Sequence, residues 1–255
     1  MFRDEEAGKK TISSKYFSME QIGAICDVLT EGYFVRRESE GKPISPIDIE
    51  ELAACELGCK IVYENIARED ESCVGFAANG IEALPVLRDG RIVYEVFPKD
   101  TIVIDKYLNP HSLRNKKRFT IGHELGHVIK NRMHNGKEAR YNHIGNEMPA
   151  TKEAAHERMS VYEVEANCFA ASLLMPERKV AEIMREFYGK EKIVKYIHDI
   201  LGGDDVRNVK KMADRFGVSY MAMYIRLKDL GFITEGSLDT YVEENVMSDM
   251  PYENT

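Results

Sequence analysis

Arg118-Phe119-Thr120-Ile121-Gly122-His123-Glu124-Leu125-Gly126-His127-Val128-Ile129 contains the pattern H-E-x-x-H. If the stretch is helical, His123 and His127 lie one turn apart on one face, so two imidazoles can take two corners of one tetrahedral zinc ion. Glu124 is the next residue round and is turned off that axis. It is placed to accept a proton from a water that the metal acidifies, rather than to bind the metal. The flanks suit a buried helix. Phe119, Ile121, Leu125, Val128 and Ile129 are apolar, and Lys130 and Arg132 near the end complement the helix dipole. Gly122 and Gly126 each cost about 1 kcal/mol relative to alanine inside a helix. Their presence points to a second element packing closely, or to room left beside a metal.

A catalytic metal site held by two histidines needs a third protein ligand. A second helix is expected from about Thr151 to Met175, stopped by Pro176. It offers Glu153, His156, Glu157, Glu163 and Glu165. Glu163 is the choice here, because it shares a face with Asn167 and Ala170, and Ala166 and Ala170 are small enough to pack on the glycine-bearing helix. A solvated carboxylate is the alternative. Asn167 could hydrogen-bond a metal-binding histidine and fix its ring. Glu165 lies about 160° round the helix from Glu163, so both cannot face one metal. Tyr141, His143, His156 and Tyr162 are unranked candidates to stabilise a developing oxyanion.

Outward from these helices, Ile22, Ile25, Cys26 and Leu29 fall at helical spacing, and Arg36 to Lys42 reads as a loop. Ser45-Pro46-Ile47-Asp48 reads as a helix start with Ser45 as N-cap, running to about Leu57 and closed by Gly58. Lys60–Tyr63, Val74–Ala78, Arg91–Phe97 and Thr101–Ile104 are β-prone, with Asn79-Gly80 and Asp89-Gly90 as hairpin turns. Antiparallel pairing is expected. The polar stretch from Met133 to Pro149, with His134 and His143, reads as a loop beside the site. Val209 to Ser219 followed by Met221 to Leu230 reads as helix, tight turn, helix. Arg226 and Lys228 are the only cations of its second helix, fewer than a DNA-reading helix usually carries, so structural support or protein docking is favoured over DNA binding.

The 255 residues are 44% apolar, enough for one large or two small domains. No run of eighteen apolar residues is present, and Met1 to Glu6 lacks the apolar stretch of a secretory signal; a cytoplasmic protein is expected. Five cysteines without a framework suggest reduced thiols, and Cys55 and Cys59 are read as ordinary buried ones. The net charge of −8 argues against a generic nucleic-acid binder. From Thr234 onward there are six acidic residues and no Lys or Arg, which reads as a solvated tail.

Arg118-Phe119-Thr120-x-x-His123-Glu124-Leu125-Gly126-His127, followed by Glu163-x-Glu165-Ala166-Asn167-x-Phe169-Ala170 and Leu173-Leu174-Met175-Pro176, resembles the ImmA/IrrE metallopeptidases over about residues 45 to 233. The resemblance implies a cytoplasmic zinc protein of a bacterium or mobile element that cleaves a helix-turn-helix repressor. It implies a metal held by His123, His127 and Glu163, with Glu124 as catalytic base. The fold expected is α+β: a zincin-like domain with a small antiparallel sheet packed on the metal-binding helix, then a helix-turn-helix-like module. The expected divisions are a one-helix extension at 1–44, the metallopeptidase domain at 45–180, the helical module at 181–233 and the acidic tail at 234–255. The rival reading is a regulator that cuts nothing and binds a repressor or DNA through its helix-turn-helix-like module.

Overall fold

A computed structural model describes residues 16–67, 73–133, 161–189, 192–196 and 200–237. The expected loop at 134–149, the first part of the second helix and the acidic tail from 238 lie outside these residues, and with them His134, Tyr141, His143, Glu153, His156 and Glu157. The molecule is α+β. Among the described residues the helices are α1 (Met19–Ser39), α2 (Ile49–Leu57), α3 (Arg114–Met133), α4 (Val161–Leu174), α5 (Glu177–Tyr188), α6 (Gly203–Phe216) and α7 (Tyr220–Asp229). The strands are β1 (Lys60–Glu64), β2 (Gly75–Ala77), β3 (Ala83–Arg88), β4 (Arg91–Val96), β5 (Thr101–Asp105), β6 (Ile193–Tyr196), β7 (Ile200–Leu201) and β8 (Ile233–Glu235).

The sheet beside α3 has the order β1-β5-β2. All five residues of β5 are buried, as suits an apolar strand covered on both faces. Ile102 and Ile104 join the main core with Ile121, Leu125 and Val128 of α3. Val103 faces the other way, into a smaller core with Phe76, Leu84, Val86 and Phe97. The β3–β4 hairpin covers that second face, so helix, sheet and hairpin form three layers.

The expected all-antiparallel sheet is corrected. β2 pairs with β5 antiparallel, but β1 pairs with β5 in parallel, Lys60 opposite Thr101. The central strand has two neighbours, and the chain returns to it from β1 only after β2 and the hairpin, a crossover long enough for parallel pairing. Asp89-Gly90 is the hairpin turn, with φ of 50° and 73°, the left-handed pair that two-residue hairpins require. Asn79-Gly80 is not one. The Asn79 side chain instead accepts the N–H groups of Ile81 and Glu82, a local turn between strands that do not pair.

Two helix boundaries also differ. α1 runs through the expected loop to Ser39, started by a capping box of Ser18 and Gln21. Arg36 and Arg37 keep it helical by pairing with Glu51 on α2. The N-cap of α2 is Asp48, not Ser45, and Gly58 closes the helix at φ 60° as expected. Ser45 donates its hydroxyl hydrogen to the Arg215 carbonyl, 3.1 Å away. Cys59 is buried, but Cys55 is exposed, against the reading of both as buried thiols.

The region after α5 carries strand as well as helix: β6 pairs antiparallel with β7 and parallel with β8, around α6 and α7. The tight turn between α6 and α7 is Gly217 at φ 62°. The carbonyls around it accept from side chains of α3. Arg118 donates to Gly217 O (2.9 Å) and Phe216 O (3.1 Å), and Asn115 to Val218 O (3.0 Å). Arg226 is buried, and its Nε donates to Met175 O at the end of α4. The α6–α7 pair is thus bonded to both helices of the site.

Candidate metal centre

α3 and α4 pack closely because the sequence supplies small residues on both sides. A methyl group on Gly122 would lie 3.1 Å from Ala170 Cα, and one on Gly126 would lie 2.9 Å from Phe169 Cβ and 3.0 Å from Ala166 Cα. This contact brings Glu163 against His123 and His127. His123 Nε2 and His127 Nε2 are 3.1 Å apart, and the two rings meet edge-on at 80°. Glu163 Oε2 lies 3.1 Å from His123 Nε2, and its Oε1 lies 3.5 Å from His127 Nε2. Among the described residues these three side chains are the one group of metal-ligating atoms gathered within 4.8 Å of one another.

The size of this triangle tests whether a metal fits. Ligands about 2.0–2.1 Å from a tetrahedral ion stand roughly 3.3 Å apart. The observed separations bracket that value. Two imidazoles and a carboxylate suit a first-row divalent ion. His123 is further set for the task by Asn167, whose Oδ1 lies 2.9 Å from His123 Nδ1. A carboxamide oxygen only accepts, so Nδ1 carries the hydrogen and the Nε2 lone pair faces the triangle. Burial would by itself lower the His123 pKa; the hydrogen bond that the protonated ring donates to Glu163 and the charges of Glu124 and Glu163 outweigh it and hold the ring above its ordinary value.

Glu124 points away from the triangle's axis toward β2. Burial pushes its carboxyl up to about 7, His123 opposes the rise, Glu163 adds to it, and the Ala77 N–H donates to the carboxylate. Its Oε2 is buried without a hydrogen-bond partner. The approach depends on Gly75. A Cβ there would stand 2.7 Å from Glu124 Oε1 and 2.6 Å from Thr120 Cγ2. Sequence reasoning did not single out Gly75, although a glycine inside a strand signals close backbone approach.

Glu165 takes the role that its angle on α4 predicts: it is turned from the triangle and binds elsewhere. Its carboxylate pairs with Lys130 of α3 and accepts the Phe17 N–H, with both charged side chains buried. Lys130 Nζ sits 3.9 Å from the centre of the Tyr162 ring, which also packs on Tyr16. Tyr162 therefore belongs to this clamp. The Lys130–Glu165 pair was missed in the sequence because a helix-end lysine reads as a solvated cation.

No curated protein matches the sequence. A solved structure described as a Mycobacterium tuberculosis transcriptional regulator aligns at 14% identity over 82% of this chain, with a TM-score of 0.40. This chain spans 51% of that one. The family model of the IrrE N-terminal-like domain, Peptidase_M78, matches residues 56–228, which include α3, α4 and the α6–α7 pair. With two thirds of its length matched, the chain belongs to the IrrE N-terminal-like peptidase family.

Proposed function

We propose that this chain is a zinc-dependent endopeptidase of the cytoplasm that cleaves a helix-turn-helix repressor. The observation that carries the reading is the His123–His127–Glu163 triangle, sized for a small divalent ion, with a buried carboxylate beside it. A zinc ion held there supplies Lewis acidity, acidifying a water and polarising a carbonyl. Glu124 is the base in this reading. The Ala77 N–H steadies its carboxylate, and Oε2, buried and unbonded, is the free acceptor for a proton from the attacking water. That carboxylate can take the proton and return it to the leaving amine. Asn167 keeps His123 in the tautomer that offers Nε2.

DNA reading by α7 draws no support from its side chains. Arg226 is turned inward to Met175 O, and Met221 and Ile225 occupy exposed positions on the helix. The deciding experiment incubates the metal-loaded chain with the helix-turn-helix repressors encoded near its gene. The expected result is one cut, absent with Glu124→Gln although that variant retains stoichiometric metal. Cleavage by Glu124→Gln would overturn the base assignment. Stoichiometric zinc with no cut in any such repressor would overturn the substrate class.

A further inference from the structure

The β3–β4 hairpin turns Leu84, Val86 and Arg88 to one face, opposite Glu95, Val93 and Arg91. Leu84 and Val86 fill the smaller core. The opposite face carries Ala83, Pro85 and Leu87, each directly across from Val96, Tyr94 and Ile92 respectively. Tyr94 is 72% exposed, Ile92 60%, Val96 51% and Leu87 42%. An antiparallel hairpin covering a core from one side ordinarily turns polar residues outward. These six side chains together expose a contiguous area on the order of 500 Å², the size at which an apolar patch marks an interaction site. Among the described residues β4 pairs with β3 alone, so the patch ends in an open strand edge whose charges, Arg91 and Glu95, lie on the opposite face.

We propose that this face is a self-association surface on which the hairpin of a second copy of the chain stacks about a twofold axis. Charge selects the occupant. The segment 81–99 holds Glu82, Asp89 and Glu95 against Arg88, Arg91 and Lys99, so it is neutral in a chain of net charge −8. A strongly basic or acidic partner gains no attraction here. Two copies meet at this neutral face without adding like-charge contacts to the repulsion of their net charges. Area agrees with the choice. Two such faces bury on the order of 1,000 Å², the lower limit for a specific interface, so the association is concentration-dependent rather than permanent. An isologous contact also closes on itself and hides both patches at once. Stacked sheets align within about 30°, which lets the Ile92, Tyr94 and Val96 rows interdigitate.

The hairpin lies on the far side of the sheet from the candidate metal centre. β5 stands between hairpin and metal helix, Val103 toward one and Ile102 and Ile104 toward the other. A dimer built on the hairpins therefore presents two centres on its outer sides, and the proposal does not depend on the chemistry of either.

Sedimentation velocity of the full chain, from about 1 µM to about 300 µM, tests this. Reducing buffer is used because Cys55 is exposed. The wild type is expected to pass from monomer to dimer across the range. Ile92→Lys with Tyr94→Lys is expected to weaken association at least about thirtyfold. Both positions are exposed, so the melting temperature and metal affinity of the double variant should match the wild type. A wild type that stays monomeric at every concentration overturns the proposal and gives the face to another kind of partner. A well-folded double variant that dimerises with wild-type affinity also overturns it. Should the double variant misfold, Leu87→Lys on the neighbouring strand provides the same test.

Discussion

Asn167 Oδ1 lies 2.9 Å from His123 Nδ1, one helical turn beyond Glu163, so a single face of α4 supplies both a candidate ligand and the group that orients its neighbour. Removing that acceptor leaves His123 free to change tautomer. Asn167→Ala is expected to weaken metal binding by about 10- to 100-fold. Asn167→Asp, which still accepts from Nδ1, should lose much less. Competition against a chromogenic chelator reads both, and equal affinities for wild type and Asn167→Ala would count against the orienting role.

Gly126→Ala forces a methyl group to within 3.0 Å of the Ala166 backbone. Helix α4 must move away, at a cost of about 1–3 kcal/mol in stability, and Glu163 moves with it. Metal affinity should fall together with the melting temperature. Gly23→Ala on α1 meets nothing within 4 Å, so it should stabilise by about 0.5–1 kcal/mol. Chemical denaturation of the pair separates close packing from helix propensity.

Lys130→Met strands the Glu165 carboxylate in the core, where among the described residues the Phe17 N–H is left to bond it. Loss of one partner of a buried pair costs about 3–5 kcal/mol. The double change Lys130→Met with Glu165→Met removes the isolated charge and should recover a large part of that loss. Urea melts of the two proteins check this, and a single variant as stable as wild type would show that the pair is not closed in solution.

Glu124 makes the metal-free protein's stability depend on pH. Its folded pKa is raised from 4.5 to about 7, chiefly by burial. Below pH 4.5 it is protonated in both the folded and unfolded chains and carries no penalty. Between pH 4.5 and 7 the unfolded chain gives up this proton while the folded chain keeps it, so stability falls, by an amount on the order of 3 kcal/mol in all once the pH is above 7. Glu124→Gln should therefore stabilise the apoprotein above pH 7 and leave it unchanged below 4.5. Thermal melts of both proteins across that window give the test; parallel curves would remove Glu124 from the buried site.

The sequence alone determined the local logic of the centre. H-E-x-x-H at one-turn spacing dictates that His123 and His127 share a face, whatever surrounds them, because helix geometry is independent of context. The same geometry set Glu163 and Glu165 on opposing sides of α4. The paired glycines and alanines announced a close contact, since a glycine in a helix interior is costly unless something needs its space. Asp89-Gly90 was readable as a hairpin turn because its backbone angles are a property of two residues.

What only the tertiary structure decided are the relationships between distant segments. Whether β1 runs parallel or antiparallel to β5 depends on the path of the chain between them, and period-two alternation is the same for both directions. Asp48 rather than Ser45 is the N-cap, its carboxylate accepting the Glu51 N–H, while the Ser45 hydroxyl donates to Arg215 O, 170 residues away. Lys130 reads as a helix-end cation and Arg226 as a cation of the last helix, yet each is buried against a partner that no local pattern reveals. Burial of a charge is settled by which surfaces the fold brings together. The same holds for the outer face of the hairpin, where β-propensity is satisfied by Ile92, Tyr94 and Val96 and only the assembled layers leave them facing water.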